Sequence, residues 1–276
     1  MSSIEGDEGD LTRKQRREAA RSQRKAMEEA QAASAARRTR LTQLGVVVAV
    51  VVAVIVVVLI ATGGKSKTGL AKTKQEITST TTTVSDLIGG IPQSANVLGS
   101  PTAPITLQYF GDLECPICKE FTLGALPSVI PKWVRTGKLR IEYRSLETAT
   151  REPEVFKTQQ VAALAAGKQD KGWNFIETFY HEQGEEDSGY VTESYLQGIA
   201  KQVPGLNLVK WTSDRNDQEL ATQVNTDAQA ANAEGFTGTP SFLIGHSGGA
   251  MSKLNYTSSP ADPAFIDEAV EKLLKS

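Results

Sequence analysis

The stretch "GDLECPICKEF", residues 111 to 121, holds the only two cysteines of the 276-residue chain, Cys115 and Cys118, with Pro116 and Ile117 between them. Two thiols at this spacing can serve as half of a zinc site, as a structural staple, or as a pair that trades electrons. Zinc takes four ligands and C-x-x-C supplies two. The chain offers no further cysteine, and His181 and His246 are neither near the pair in sequence nor spaced as a ligand couple. No metal site is expected. A bridge across so short a loop constrains the unfolded chain little, which makes a purely structural disulfide a poor use of the residues. Reversible thiol chemistry is the reading that remains.

The placement of the pair supports it. If Gly111 to Glu114 is the turn after a strand, Cys115 opens the next helix, where unpaired backbone N–H groups and the helix dipole favour a thiolate. Pro116 suits a first helical turn, because its missing N–H would have had no partner there. Cys118, one turn further in, is expected to be less exposed. Cys115 is thus the sulfur that meets a substrate and Cys118 the resolving sulfur. Asp112 and Glu114 pull the other way, since nearby carboxylates raise a thiol pKa unless they point into solvent. A second motif lies late in the chain: "GFTGTPSFLIG", residues 235 to 245, sets Pro240 immediately before a strand. The backbone of Thr239 there can pair with an extended peptide. On spacing alone, Pro240 is an ordinary strand-starting proline with a trans bond.

These motifs need elements to hold them. "APITLQYF" alternates apolar Ile105, Leu107 and Tyr109 with Thr106 and Gln108, a strand pattern that ends at Gly111. "CPICKEFTLGALPSVIPKWV" carries apolar residues at helical spacing, and "KLRIEYRSL" alternates again at Leu139, Ile141 and Tyr143. A parallel strand pair with a crossover helix has this order. Residues 153 to 234 are mostly helical in pattern, with stops near Gly167, Pro204 and Gly235. Strand signal returns in "SFLIG", "MSKLNYT" can pair as an edge strand, and "PAFIDEAVEKLLKS" reads as a closing amphipathic helix.

Ahead of this body the text is of another kind. Residues 44 to 61, "LGVVVAVVVAVIVVVLIA", run without a charge, close to the roughly 20 residues that a helix needs to cross a bilayer. A single N-terminal transmembrane helix is expected over 44–62. A buried core segment and a cleavable signal peptide compete with it. The run is long for a core element, and the polar head before it and the lack of a small-x-small site after it argue against cleavage. Residues 1–43 form a charged head with ten basic and seven acidic groups, expected to be disordered or loosely helical, whereas residues 91–276 carry sixteen basic and twenty-three acidic groups. A basic head beside an acidic body suits an anionic membrane surface and argues against nucleic-acid binding by the body. More Lys and Arg lie before the apolar run than after it, which places the head in the cytoplasm and the body outside it. Residues 63–90, with the run Thr80 to Thr83, lack periodic apolar spacing and are expected to be a flexible linker.

Taken together, "IPQSANVLGSPTAPITLQYFGDLECPIC", the helical stretch after the second strand and "GFTGTPSFLIG" resemble the DsbA-like branch of the thioredoxin superfamily, from about Ile91 to the C-terminus. The resemblance implies an α/β thioredoxin-like fold over 91–276 with a helical domain inserted at about 150–215. It also implies a cis Thr239–Pro240 bond beside the cysteines. On it, Cys115 matches the exposed nucleophile, Cys118 its buried partner, and Pro116 and Ile117 the dipeptide that tunes redox poise, with the Cys115–Cys118 disulfide in place of any cofactor. Two departures stand out. The best-known member has histidine at the place of Ile117, so less stabilisation of the reduced form and a weaker oxidant are expected. Tyr109 stands where the family carries a buried acid. The implied activity is disulfide formation in exported proteins that arrive unfolded or reduced, with reoxidation by a membrane partner of the DsbB or vitamin K epoxide reductase type. A reductase or isomerase fed by a membrane electron donor, and a peptide-binding module without catalysis, are the alternatives.

Overall fold

A computed structural model describes residues 73–276. The head, the expected membrane span and the start of the expected linker lie outside the described residues. Among the described residues no helix is long and apolar enough to cross a membrane.

The first element corrects an expectation. Residues Lys74–Ile88 form helix α1 rather than a flexible linker. The Thr run is a poor helix former by propensity, but hydrogen bonds within the helix and from Arg135 offset it. Thr73 and Glu76 make a reciprocal capping box, and Thr78 Oγ1 donates back to the Lys74 carbonyl at 2.8 Å. Arg135 donates to the carbonyls of Leu87 and Gly89, at 2.6 and 2.9 Å, at the other end. Val84 and Ile88 are buried in the main core, and Thr80 Oγ1 donates to Glu182 at 3.1 Å.

Six strands follow among the described residues, in one mixed sheet: β1 (Gln93–Ser94), β2 (Val97–Leu98), β3 (Ile105–Gly111), β4 (Leu139–Ser145), β5 (Ser241–His246) and β6 (Met251–Leu254), in the order β1-β2-β4-β3-β5-β6. Of these six strands, β3 and β4 pair in parallel, as the strand, helix, strand order predicts, and the other four pairings are antiparallel. The alternation expected of β3 is only partial, because this central strand is covered on both faces and Thr106 and Phe110 are buried along with Leu107 and Tyr109. Register sets Tyr109 between Tyr143 and Phe242. Its ring meets those of Phe121, Tyr143 and Phe242 at centroid distances of 4.8, 5.2 and 5.6 Å. This aromatic cluster lies beneath the helix that carries the cysteines.

That helix runs from α2 (Pro116–Glu120) through a π turn (Phe121–Ala125), α3 (Leu126–Val129) and a second π turn (Ile130–Val134). Pro127 and Pro131 lack the N–H that would close a regular helical bond, and the backbone widens around them instead of breaking. The insertion consists of α4 (Pro153–Gly167), α5 (Gly172–His181), α6 (Glu193–Gln202) and α7 (Leu208–Asp214). In α5 every residue from Gly172 to Tyr180 is buried, with Phe175 and Phe179 turned towards Trp211 and Tyr195. Gly167 and Gly172 allow the ends of α4 and α5 to close on the β1–β2 turn, since a Cβ at either would come within 2.6 Å of the Ala95 carbonyl oxygen. Helix α8 (Gln218–Ala233) returns the chain to the sheet and α9 (Ala264–Leu273) closes it.

Candidate active site

Strand β3 ends at Gly111, and the turn 112–115 delivers the chain to α2 with Cys115 as its N-cap. The Cys118 N–H points at Cys115 Sγ at 3.4 Å, so a helix-opening donor is directed at the sulfur. Cys115 is 5% exposed and Cys118 fully buried, both as free thiols. Pro116 occupies the first helical turn, and Ile117 is 38% exposed, so the apolar side chain faces outward beside the cysteine pair. On the other side of the pair, Thr239 and Pro240 approach from the loop before β5. The Thr239–Pro240 bond is cis. Cys115 Sγ donates to the Thr239 carbonyl at 3.4 Å. The structure thus brings together the two motifs, which are 124 residues apart in sequence. A cleft of about 390 Å³ adjoins the proline loop, walled by Thr239, Pro240, Leu254 and Tyr256.

The two sulfurs differ electrostatically. The Cys115 thiol is lowered to about 7, chiefly by its hydrogen bond with Cys118, with further help from the Thr239 side chain and the backbone N–H groups of Ile117 and Cys118, against the opposing effect of burial. Burial pushes the Cys118 thiol well above its ordinary value. Near neutral pH the outer sulfur is the one that can be a thiolate.

The carboxylates flanking the pair are held away from it. Asp112 is fully buried and points neither into solvent nor at the sulfurs but into the loop after β4. Its Oδ2 accepts from the N–H groups of Thr148, Ala149 and Thr150 at 3.0, 2.9 and 2.9 Å. Its Oδ1 accepts from the Glu114 N–H and Thr150 Oγ1 at 3.1 and 2.6 Å. Glu114 is raised to about 7 by burial first, with Asp112, Asp187 and Glu186 adding to it, so it carries little negative charge below neutral pH. The Thr148 and Thr239 hydroxyls, 2.5 Å apart, tie this loop to the proline loop.

Tyr109 fills the space under Cys118. Its hydroxyl lies 3.0 Å from that of Tyr180, 3.4 Å from Thr122 Oγ1 and 3.5 Å from the Cys118 carbonyl. Burial pushes this phenol well above its ordinary value, so it stays protonated. Two contacts from the helical insertion have no motif in the sequence. Tyr180 donates to the Asp112 carbonyl at 3.2 Å, and the Gln183 side-chain amide donates to the carbonyls of Leu113 and Cys115 at 2.7 and 3.1 Å. Among the described residues no group of three or more His, Cys, Asp or Glu side chains is arranged to hold a metal ion.

A sheet of this order, a Cys-x-x-Cys pair at a helix start and a cis-proline loop facing it define a thioredoxin-fold protein. The chain matches the thioredoxin family over residues 93–253 and belongs to it; it is a thiol:disulfide oxidoreductase. Two relatives align with much of the chain. The probable disulfide bond formation protein D of Bacillus anthracis is 25% identical over 187 residues, 64% of this chain and 77% of that one. Disulfide bond formation protein D of Bacillus subtilis is 24% identical over 197 residues, 69% of this chain and 82% of that one. The oxidised crystal structure of BdbD from Bacillus subtilis superposes with a TM-score of 0.56 at 23% identity, covering 68% of this chain and 98% of the other.

Proposed function

We propose that this chain is a membrane-anchored oxidase that forms disulfides in exported proteins outside the cytoplasm, using Cys115 and Cys118. The observation that carries the chemistry is the contrast between the sulfurs: Cys115 at the helix start, lowered to about 7, and Cys118 fully buried and raised. The oxidising direction draws support from relatives whose name is disulfide bond formation protein D. The anchor rests on the uncharged run at 44–61 and the distribution of Lys and Arg around it.

In this reading a substrate thiolate attacks Cys115 Sγ of the Cys115–Cys118 disulfide. The internal S–S bond breaks, Cys118 leaves as a thiolate and takes up a proton, and a mixed disulfide joins Cys115 to the substrate. A second substrate thiolate then attacks the substrate sulfur of that bond and expels Cys115 as a thiolate. Two electrons have passed from the substrate to this protein, whose dithiol a membrane partner of the DsbB or vitamin K epoxide reductase type reoxidises. The substrate's extended backbone lies along Thr239, next to Cys115. Pro116 and Ile117 tune the poise.

The deciding measurement is the equilibrium reduction potential of the full chain against glutathione, with Cys118→Ala as a control that cannot form the bond. A value well above thioredoxin's, about −270 mV, together with oxidative refolding of a reduced substrate, is expected. A value at or below thioredoxin's would overturn the oxidising direction and point to a membrane electron donor. Loss of both insulin reduction and oxidative refolding would leave only peptide binding.

A further inference from the structure

The reactive turn belongs to the thioredoxin-like part of the chain, yet part of its backbone is held from the insertion. Tyr180 in the last turn of α5 and Gln183 just beyond its end face it. Tyr180 donates to the carbonyl of Asp112, and Gln183 donates from one amide nitrogen to the carbonyls of Leu113 and Cys115. The Cys115 carbonyl also accepts from the Lys119 N–H at 3.1 Å, the first bond of the helix. Gln183 therefore grips the residue at which turn becomes helix. Its own main chain is tied back, since Lys119 Nζ donates to the Gln183 carbonyl at 3.5 Å and the Gln183 N–H to the Tyr180 carbonyl at 3.5 Å.

We propose that Gln183 is a positioning residue for thiol–disulfide exchange, its amide clamping the Leu113 and Cys115 carbonyls so that Cys115 Sγ stays seated on the N–H groups that open α2. The argument is geometric. Sγ receives the Cys118 N–H only while the Cys115 backbone keeps its N-cap conformation, φ −70° and ψ 120°. That conformation is fixed from one side by the Lys119 N–H and from the other by Gln183. A rotation of the Cys115 peptide that releases its carbonyl from Gln183 also swings Sγ away from the N–H groups that favour its thiolate. The insertion thus acts on the sulfur through one side chain, and docking between the two parts of the fold becomes a setting on reactivity. Gln183 touches no reacting atom. The clamp rests on the reading of Cys115 as the nucleophile.

The test is the pH dependence of iodoacetamide alkylation of the reduced full chain, followed at Cys115 by peptide mass, in wild type, Gln183→Met and Gln183→Ala. Met keeps the length of the side chain and removes both donors; Ala removes the packing as well. Both variants are expected to shift the Cys115 midpoint upward from near 7 by about half a unit or more. Alkylation at pH 6 should slow correspondingly, about threefold for half a unit. Thermal unfolding run in parallel should fall further for Ala than for Met. A wild-type midpoint in Gln183→Met overturns the clamp, and so does a shift confined to Gln183→Ala, which would report packing alone. If Cys115 of the wild type is not the sulfur alkylated first, the nucleophile reading fails and the clamp falls with it, an outcome visible before any variant is made.

Discussion

Asp112 and Glu177 are both without solvent exposure, the first in the turn before the cysteines and the second in the middle of α5. Asp112 accepts five hydrogen bonds, three of them from consecutive backbone N–H groups. Neither carboxyl oxygen of Glu177 has a hydrogen-bond partner among the described residues, and burial alone raises Glu177 to about 8. The same chemical group is thus solvated by the protein in one region and stranded in the other. Buried polar groups stabilise a fold only when their partners are in place. The comparison therefore separates a region built to hold a fixed geometry from one that holds an acid by keeping it neutral.

The largest expected effect comes from breaking the satisfied side. Asp112→Ala leaves the Thr148, Ala149 and Thr150 N–H groups without their acceptor and frees the loop that meets Thr239. A loss of about 3 to 5 kcal/mol in urea unfolding is expected. A loss below about 1 kcal/mol would show that the loop finds other partners and would erase the contrast.

Glu177 probes the other side, and the sign of its effect is opposite. Its folded value of about 8 lies above the ordinary 4.5, so the unfolded chain releases the proton first. Stability is then greatest below about 4.5 and falls as pH rises towards about 8. Glu177→Gln removes that dependence and should gain about 3 to 4 kcal/mol on the wild type between pH 5 and pH 8. Parallel unfolding curves at the two pH values check it. Equal slopes for both proteins would mean that Glu177 is charged and partnered in solution.

Smaller effects fall on the sulfurs themselves. Ile117→His places a donor and a partial positive charge beside Cys115, which should lower its alkylation midpoint and shift the exchange equilibrium towards the dithiol about tenfold, or about 30 mV in potential. Tyr109→Phe is the intermediate case, because the lost hydroxyl has partners at 3.0 to 3.5 Å but also leaves Tyr180 with its bond to Asp112. About 1 kcal/mol of stability should be lost, with the Cys115 midpoint within a few tenths of a unit of wild type.

Much of this arrangement was legible as sequence because it is written in spacing. The strand endings at Gly111 and near Leu146, the cysteines at a helix start, the proline before β5 and the helical run after β4 all follow from local pattern. Asp112 was visible only as a charge close to a thiol; the loop that captures it lies 36 to 38 residues downstream. Gln183 and Tyr180 carry no signature, since their partners are main-chain carbonyls that any sequence supplies. Glu177 sits among apolar residues of α5 and looks like an ordinary polar position on an amphipathic helix. Helix α1 did leave a trace. The Thr73-x-x-Glu76 capping box announces a helix start, but the threonines after it mask the signal, and the contacts that stabilise α1 come from Arg135 and Glu182.

The pairing of β3 with β5 also has a consequence in time. Residues 105–110 stand beside 241–246, so one edge of the central strand stays open until some 135 residues have been added to the chain. A nascent chain can hold a complete Cys115 turn and its entire helical insertion while Thr239 has not yet been made. During that interval Cys115 has no carbonyl beside it and the sheet has an unpaired edge in its middle, the two features that invite premature exchange and strand addition. The chain from Thr239 onward supplies that carbonyl and pairs that edge, and a polypeptide that stops short of it carries the two thiols without this cover.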